Sequence, residues 1–286
     1  MFNINQPSIR NLLLFELFWF IMAQLAGIFV AHNVIVSFIK SGEKIRQVSP
    51  SDFSLTNFLI SFLGVIIFIL LISKFSKGKN IIFKAFFALI AFLGGEVFLE
   101  SFLPTIIALP IILILIFFWF KTSSIWIHNL LLVLGTAGIG GFVGSSLSSQ
   151  VVVILFFILA IYDLIAVYQT RHMIKIAKSM AESQAVLGII IPKKISDFNK
   201  KLKDVNIGDE KRDFLVLGSG DIIFPLILTA SFLPQGIAKS GTILIFSLSG
   251  LLFGFWLFFK LGQKPMPALP PLAIFCIIGY FIANLI

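Results

Sequence analysis

Runs of about 20 predominantly apolar residues recur along the whole 286-residue chain. A helix needs about that length to cross the hydrocarbon core of a bilayer. Nine segments qualify: 11–31, 55–73, 81–101, 103–120, 124–146, 150–170, 214–233, 241–260 and 266–285. The third and fourth are nearly continuous, and Pro104 is the expected break, because proline cannot continue a helical ladder. Composition excludes the soluble readings. The chain is 58% hydrophobic and 12% charged, whereas a soluble domain carries about 25% charged residues. Too few polar side chains exist to coat a water-facing surface, so a soluble enzyme, a secreted disulfide scaffold and a disordered chain are excluded. The expected fold is an all-α polytopic membrane protein with nine transmembrane helices.

Charge orients the helices. Residues 171–213 form the one long polar stretch, with ten of the 22 lysines and arginines. With that loop in the cytoplasm, Arg10, the lysines of the 2–3 loop, Lys84, Lys121, Lys260 and Lys264 fall on the same side. Only Lys40, Lys44, Arg46 and Lys239 fall opposite. Cytoplasmic loops collect basic residues, so the N-terminus is expected inside and the C-terminus outside. The same rule explains the net charge of +9 without nucleic acid. The first segment is too long for a cleaved signal peptide and is read as a retained helix. Cys276 is the single cysteine, which precludes an intrachain disulfide. His32, His128 and His172 are far apart and no H-E-x-x-H occurs, so neither metal nor other cofactor is expected. In the fifth segment Gly140 and Gly144 form a small-xxx-small pair suited to close helix packing.

Ionisable groups inside a bilayer are costly and are functional candidates by default. Glu96 and Glu100 lie near the outer end of the third segment and read as an outer rim. Glu16 lies about one turn inside the first segment and reads as a snorkelling or hydrogen-bonded side chain. Asp163 and Asp221 differ. Asp163 lies eight residues before Arg171 and Asp221 nine after Arg212. At 1.5 Å per helical residue, each is roughly 12–14 Å from its cytoplasmic charge. Their helices run in opposite directions, so the two carboxyls can meet at one level. Two unrelated buried acids that hydrogen-bond for packing are the competing reading.

A carboxyl pair carries a definite chemistry. Two carboxyls a few Å apart do not both ionise easily, so one keeps its proton. The ionised partner takes a proton from water, which attacks a peptide carbonyl, while the protonated partner stabilises the developing oxyanion. Two further sequences lie at the same level. Leu217-Gly218-Ser219-Gly220-Asp221 places glycines where the backbone can bend and another chain can approach closely. Lys264-Pro265-Met266-Pro267-Ala268-Leu269-Pro270-Pro271 cannot be a regular helix throughout, and membrane interiors tolerate such backbone only where protein or water lines it.

Together, Tyr162-Asp163, Gly218-Ser219-Gly220-Asp221 and Pro267-Ala268-Leu269, in this order on the sixth, seventh and ninth helices, resemble the presenilin and signal peptide peptidase family of intramembrane aspartyl proteases. The likeness covers nearly the whole chain. It implies that Asp163 and Asp221 are the catalytic pair. It also implies that Tyr162, Leu217, Gly218, Ser219, Gly220, Pro267, Ala268 and Leu269 shape the site or hold substrate. Presenilins share the orientation deduced here, and signal peptide peptidases are inverted. The short chain resembles a prokaryotic or archaeal homologue in the cell membrane. The implied partners are transmembrane segments of substrate proteins, or leftover signal peptides, within the lipid bilayer. Obligatory protein subunits are not expected, and a homo-oligomer is compatible with the sequence. The chain divides into residues 1–146, five helices expected to act as scaffold, and residues 147–286, which hold the catalytic motifs and the cytoplasmic loop 171–213.

Residues 171–185 have amphipathic helical spacing and read as an extension of the sixth helix. Residues 186–192 and 214–217 are short β-prone runs. They read equally as frayed helix ends or as paired strands that offer an edge to an unwound substrate. A proton-coupled transporter or channel that uses the buried aspartates is the alternative function. Prepilin peptidases share a G-x-G-D aspartate but have fewer helices and no such proline motif. A rhomboid-type serine protease is disfavoured because Ser247-Leu248-Ser249-Gly250 lacks a leading glycine.

Overall fold

A computed structural model describes residues 7–42, 47–74, 79–170, 172–205, 214–263 and 266–286. Of the residues used above for charge and motif placement, Lys44, Arg46, Lys77, Arg171, Lys211, Arg212, Lys264 and Pro265 lie outside the described residues. The chain is mostly helical. In order it forms α1 (Pro7–Lys40), α2 (Leu55–Lys74), α3 (Lys79–Glu100), α4 (Thr105–Thr122), α5 (Ile125–Ser146), α6 (Ser149–Leu164), α7 (His172–Glu182), β1 (Gly188–Pro192), β2 (Phe214–Gly218), α8 (Ser219–Ser231), α9 (Ile237–Lys260) and α10 (Leu269–Leu285).

Among the described residues six helices are long and apolar enough to cross a membrane: Ile9–Lys40, Asn80–Glu100, Thr105–Thr122, Ile125–Ser146, Ser149–Gln169 and Ile237–Lys260. Leu55–Leu71 and Leu269–Leu285 are apolar but shorter. The break at Pro104 occurs where expected, with Pro104 capping the start of α4. The seventh expected span, 214–233, is not one helix. Its first five residues are β2, and α8 has 13 residues before a 3-10 turn over Leu233–Gln235. Apolarity alone could not separate a β-prone run that finds a strand partner from the helix that follows it. The pair of strands also makes the fold mostly, rather than wholly, helical. The amphipathic stretch after α6 is the separate helix α7, reached through a π-helical turn at Ile165–Gln169.

Helix α5 is the centre of the packing. Its glycines let three neighbours approach at backbone distance. Added Cβ atoms at Gly135 and Gly138 would meet the α3 backbone, at Ile90 and Gly94 respectively; one at Gly141 would meet Gly27 and Val30 of α1; those at Gly140 and Gly144 would meet Leu226 and Ala230 of α8. Without a hydrophobic drive between helices in lipid, such close van der Waals contact holds a bundle together. The peripheral α4, by contrast, buries only Ala108, Ile112 and Trp119 and leaves Ile106 and Phe117 on the outer surface.

The β-prone runs do pair. β1 and β2 are antiparallel, with Gly188 opposite Gly218 and Ile190 opposite Val216. Every residue of β1 is buried. The connection after β1 is stitched to the start of α5, where Lys200 accepts from the Ile125 amide and Leu202 donates to the Ser123 carbonyl.

Candidate active site

One cavity of about 560 Å³ opens between α1, α2, α6, β2, α8, α9 and α10. All ten candidate residues line it: Tyr162, Asp163, Leu217, Gly218, Ser219, Gly220, Asp221, Pro267, Ala268 and Leu269. They come from three stretches of chain separated by scores of residues. Asp163 lies near the end of α6 and is 8% exposed. Immediately after it the helix widens into the π turn, whose wider hydrogen bonding is seen where Thr170 donates to the Ile165 carbonyl. Such turns recur at functional sites.

Asp221 is the third residue of α8, and Gly218 is the helix N-cap. From that position a carboxyl can turn back onto the N-cap amide, as the acid of a capping box does, and the Gly218 backbone lies against the Asp221 carboxyl. A Cβ on Gly218 would sit 2.9 Å from Asp221 Oδ2, whereas one on Gly220 would meet only the Phe224 ring at 3.6 Å. The first glycine therefore leaves room for the carboxyl, and the second is under no such constraint.

Among the described residues the proline run is irregular up to Ala268, and Pro270 and Pro271 then occupy the first turn of α10, where a missing N–H costs nothing. Leu269, the first residue of the helix, has the one amide left among these three, and it donates to Asp163 Oδ2 at 3.3 Å. Tyr162, beside Asp163, packs edge-on against Phe62 of α2 with ring centroids 5.0 Å apart.

Further residues line the cavity, and Glu16 was not expected among them. Glu16 is 5% exposed, lines the cavity, and its Oε2 has no hydrogen-bond partner among the described residues. At that exposure it does not snorkel to the surface, and among the described residues Oε2 lacks the hydrogen bond expected of it. Its depth followed from the segment boundary, since α1 begins at Pro7 and runs to Lys40. β2 supplies Phe214, Leu215 and Val216 to the same cavity. No metal-binding cluster of histidine, cysteine and acidic residues occurs among the described residues.

Among the described residues the sheet has one open edge. Ile190 exchanges both backbone groups with the Asn129 side chain on α5. By strand alternation Ile189 and Ile191 therefore bond β2, through their partners Leu217 and Leu215. That parity turns the N–H and C=O of Val216 to the outer edge. The ladder continues one step further, with the Ser219 amide donating to the Leu187 carbonyl at 3.1 Å.

The chain is similar to known proteins in sequence family and in fold. A family model described as signal-peptide peptidase, presenilin aspartyl protease matches residues 17–286. Two crystal forms of a presenilin family intramembrane aspartate protease share the fold. The C222 form is 20% identical, covers 93% of this chain and 94% of its own, with a TM-score of 0.56. The P2 form is 22% identical, covers 92% and 96%, with a TM-score of 0.54. No curated protein sequence matches the chain. With a family model spanning nearly all of the sequence, and a mostly helical multi-pass membrane fold shared with solved relatives, the chain belongs to the signal-peptide peptidase and presenilin aspartyl protease family and is an intramembrane aspartic endopeptidase.

Proposed function

We propose that Asp163 and Asp221 are the catalytic pair of this protease. The observation that carries the assignment is their convergence, with the glycine and proline motifs, on one cavity. One carboxyl is ionised and the other protonated, since two adjacent carboxylates repel. The ionised group removes a proton from water as the water oxygen bonds to the peptide carbonyl carbon. The protonated group hydrogen-bonds to the carbonyl oxygen. The tetrahedral intermediate then breaks its C–N bond, and a dyad proton passes to the leaving amine. The Leu269 amide orients Asp163, and Gly218 leaves space for Asp221. Tyr162, Leu217, Ser219, Gly220, Pro267 and Ala268 complete the wall that holds substrate. In detergent the protein should cut a synthetic transmembrane peptide, and Asp163→Ala and Asp221→Ala should each stop it. Retained cleavage in either variant sinks the assignment. No observation favours transport.

The substrates are transmembrane segments of membrane proteins and leftover signal peptides. A helical substrate hides its peptide bonds and must unwind before attack, and its freed backbone groups need partners in a low-dielectric place. The Val216 edge supplies them by strand addition. The strongly one-sided lysine and arginine distribution supports nine crossings with the N-terminus in the cytoplasm and the C-terminus outside. In that arrangement α8 completes its crossing with the segments at its two ends. Residues 1–146 act as scaffold, with α1 and α2 lending Glu16 and Phe62 to the cavity wall, and 147–286 carry the chemistry. The enzyme works in the cell membrane of a prokaryote or archaeon, without obligatory subunits.

A further inference from the structure

Helix α5 closes the inner edge of the sheet with a side chain in place of a strand. Buried Asn129 donates Nδ2 to the Ile190 carbonyl at 2.8 Å, and its Oδ1 accepts the Ile190 amide at 2.9 Å. These are the two bonds that a residue opposite Ile190 on a third antiparallel strand would make. The adjacent His128 donates Nε2 to the Gly188 carbonyl at 3.3 Å, with its ring stacked on Phe87. Ile190 is the register partner of Val216. Asn129, Ile190 and Val216 therefore lie in one line across the sheet, and the open edge is at its far end.

We infer that Asn129 is a positioning residue: it fixes the register in which Val216 is presented to a substrate strand, and hence which substrate bond reaches Asp163 and Asp221. This rests on the edge-pairing reading above. A two-stranded ribbon is marginal on its own, and a slip of two residues keeps the same faces while moving the strand by about 6.6 Å. That is enough to bring a different peptide bond to the dyad. Asn129 prevents the slip by tying β1 to the most buried helix. The same helix holds α8 through Gly140 and Gly144, so α5 sets the position of the sheet and of Asp221 together. Loss of the amide would leave the Ile190 N–H and C=O buried without partners, and shifting the strand would be one way to relieve this.

The test maps the cleavage positions in a synthetic leucine-rich transmembrane peptide by mass spectrometry, for the whole protein in detergent. Asn129→Leu and Asn129→Ser should spread cleavage to neighbouring bonds, with the share of the dominant product falling by roughly half or more. Asn129→Ser, smaller and still polar, carries the test if Asn129→Leu fails to accumulate. A lower rate with the wild-type product distribution in the variants means a purely structural role and overturns the inference. Val216→Pro separates the two layers. If it cleaves at wild-type positions and rate, edge pairing falls and this inference with it. If it stops cleavage while the Asn129 variants keep the wild-type positions, only the role of Asn129 falls.

Discussion

Leu269 donates its backbone N–H to Asp163 Oδ2 at 3.3 Å, across 106 positions of the chain. The proline motif thereby reaches Asp163 through the backbone amide of Leu269, the one N–H among the first three residues of α10. Pro270 and Pro271 fit the start of α10 because their positions need no donor, and the helix N-terminus puts its remaining donor on a carboxyl that has to be held in place. Leu269→Pro removes that donor, whereas Leu269→Ala keeps it. A hydrogen bond to a charged group is worth about 1.5–3 kcal/mol, so Leu269→Pro should lower kcat roughly 10- to 100-fold. Leu269→Ala should retain most of kcat. Steady-state cleavage of a transmembrane peptide measures both, and equal losses in the two variants would refute the role of the amide.

The two glycines before Asp221 should respond differently to the same change. A methyl at position 218 collides with the Asp221 carboxyl, whereas at 220 it makes ordinary contact with Phe224. Gly218→Ala should therefore abolish or strongly reduce kcat while the protein still purifies as a folded species. Gly220→Ala should retain activity within about tenfold, the cost of about 1.4 kcal/mol. A matched pair of single-turnover measurements separates them, and a reversed order would refute the steric account.

Helix packing around α5 offers a stability prediction that is independent of catalysis. A Cβ at Gly138 would overlap the Gly94 carbonyl group, and backbone there cannot move aside as a side-chain tip can. Gly138→Ala should cost about 1–3 kcal/mol or more. Gly64→Ala, with nothing within 4 Å, should be neutral. The midpoint of thermal aggregation in detergent reads the contrast.

Glu16 lies in the cavity wall with one carboxyl oxygen unpaired among the described residues, but it is outside the three motifs. A buried acid without a full set of partners is destabilising, and an apolar replacement relieves that cost. Glu16→Leu should raise thermal stability by about 1 kcal/mol or more. Glu16→Gln should keep measurable cleavage, because the reacting pair remains intact. Complete loss of cleavage in Glu16→Gln, with stability unchanged, would move Glu16 into the chemistry.

Much of the site is legible in the residues themselves, since a bilayer gives each charge a meaning. With so few polar side chains, an aspartate within an apolar helix stands out. A glycine or proline run also marks irregular backbone, which lipid does not tolerate unsupported. Those two facts single out Asp163, Asp221, Gly218, Gly220 and Pro267-Ala268-Leu269. What remained hidden depends on partners distant in sequence. Phe214-Leu215-Val216-Leu217 could be read as helix or strand until β1 lay beside it. Asn129 is one polar residue near the start of an apolar helix, and only the fold brings the Ile190 amide and carbonyl to its side chain. Glu16 could be read as a snorkelling or hydrogen-bonded side chain because its depth depends on where α1 begins and on which helices cover it. Residue order alone thus places the chain in a membrane and marks which carboxyls stand out there. Their convergence on one cavity follows from the folded packing, because hydropathy measures how each segment prefers lipid, whereas hydrogen bonds and close contacts depend on which segments become neighbours.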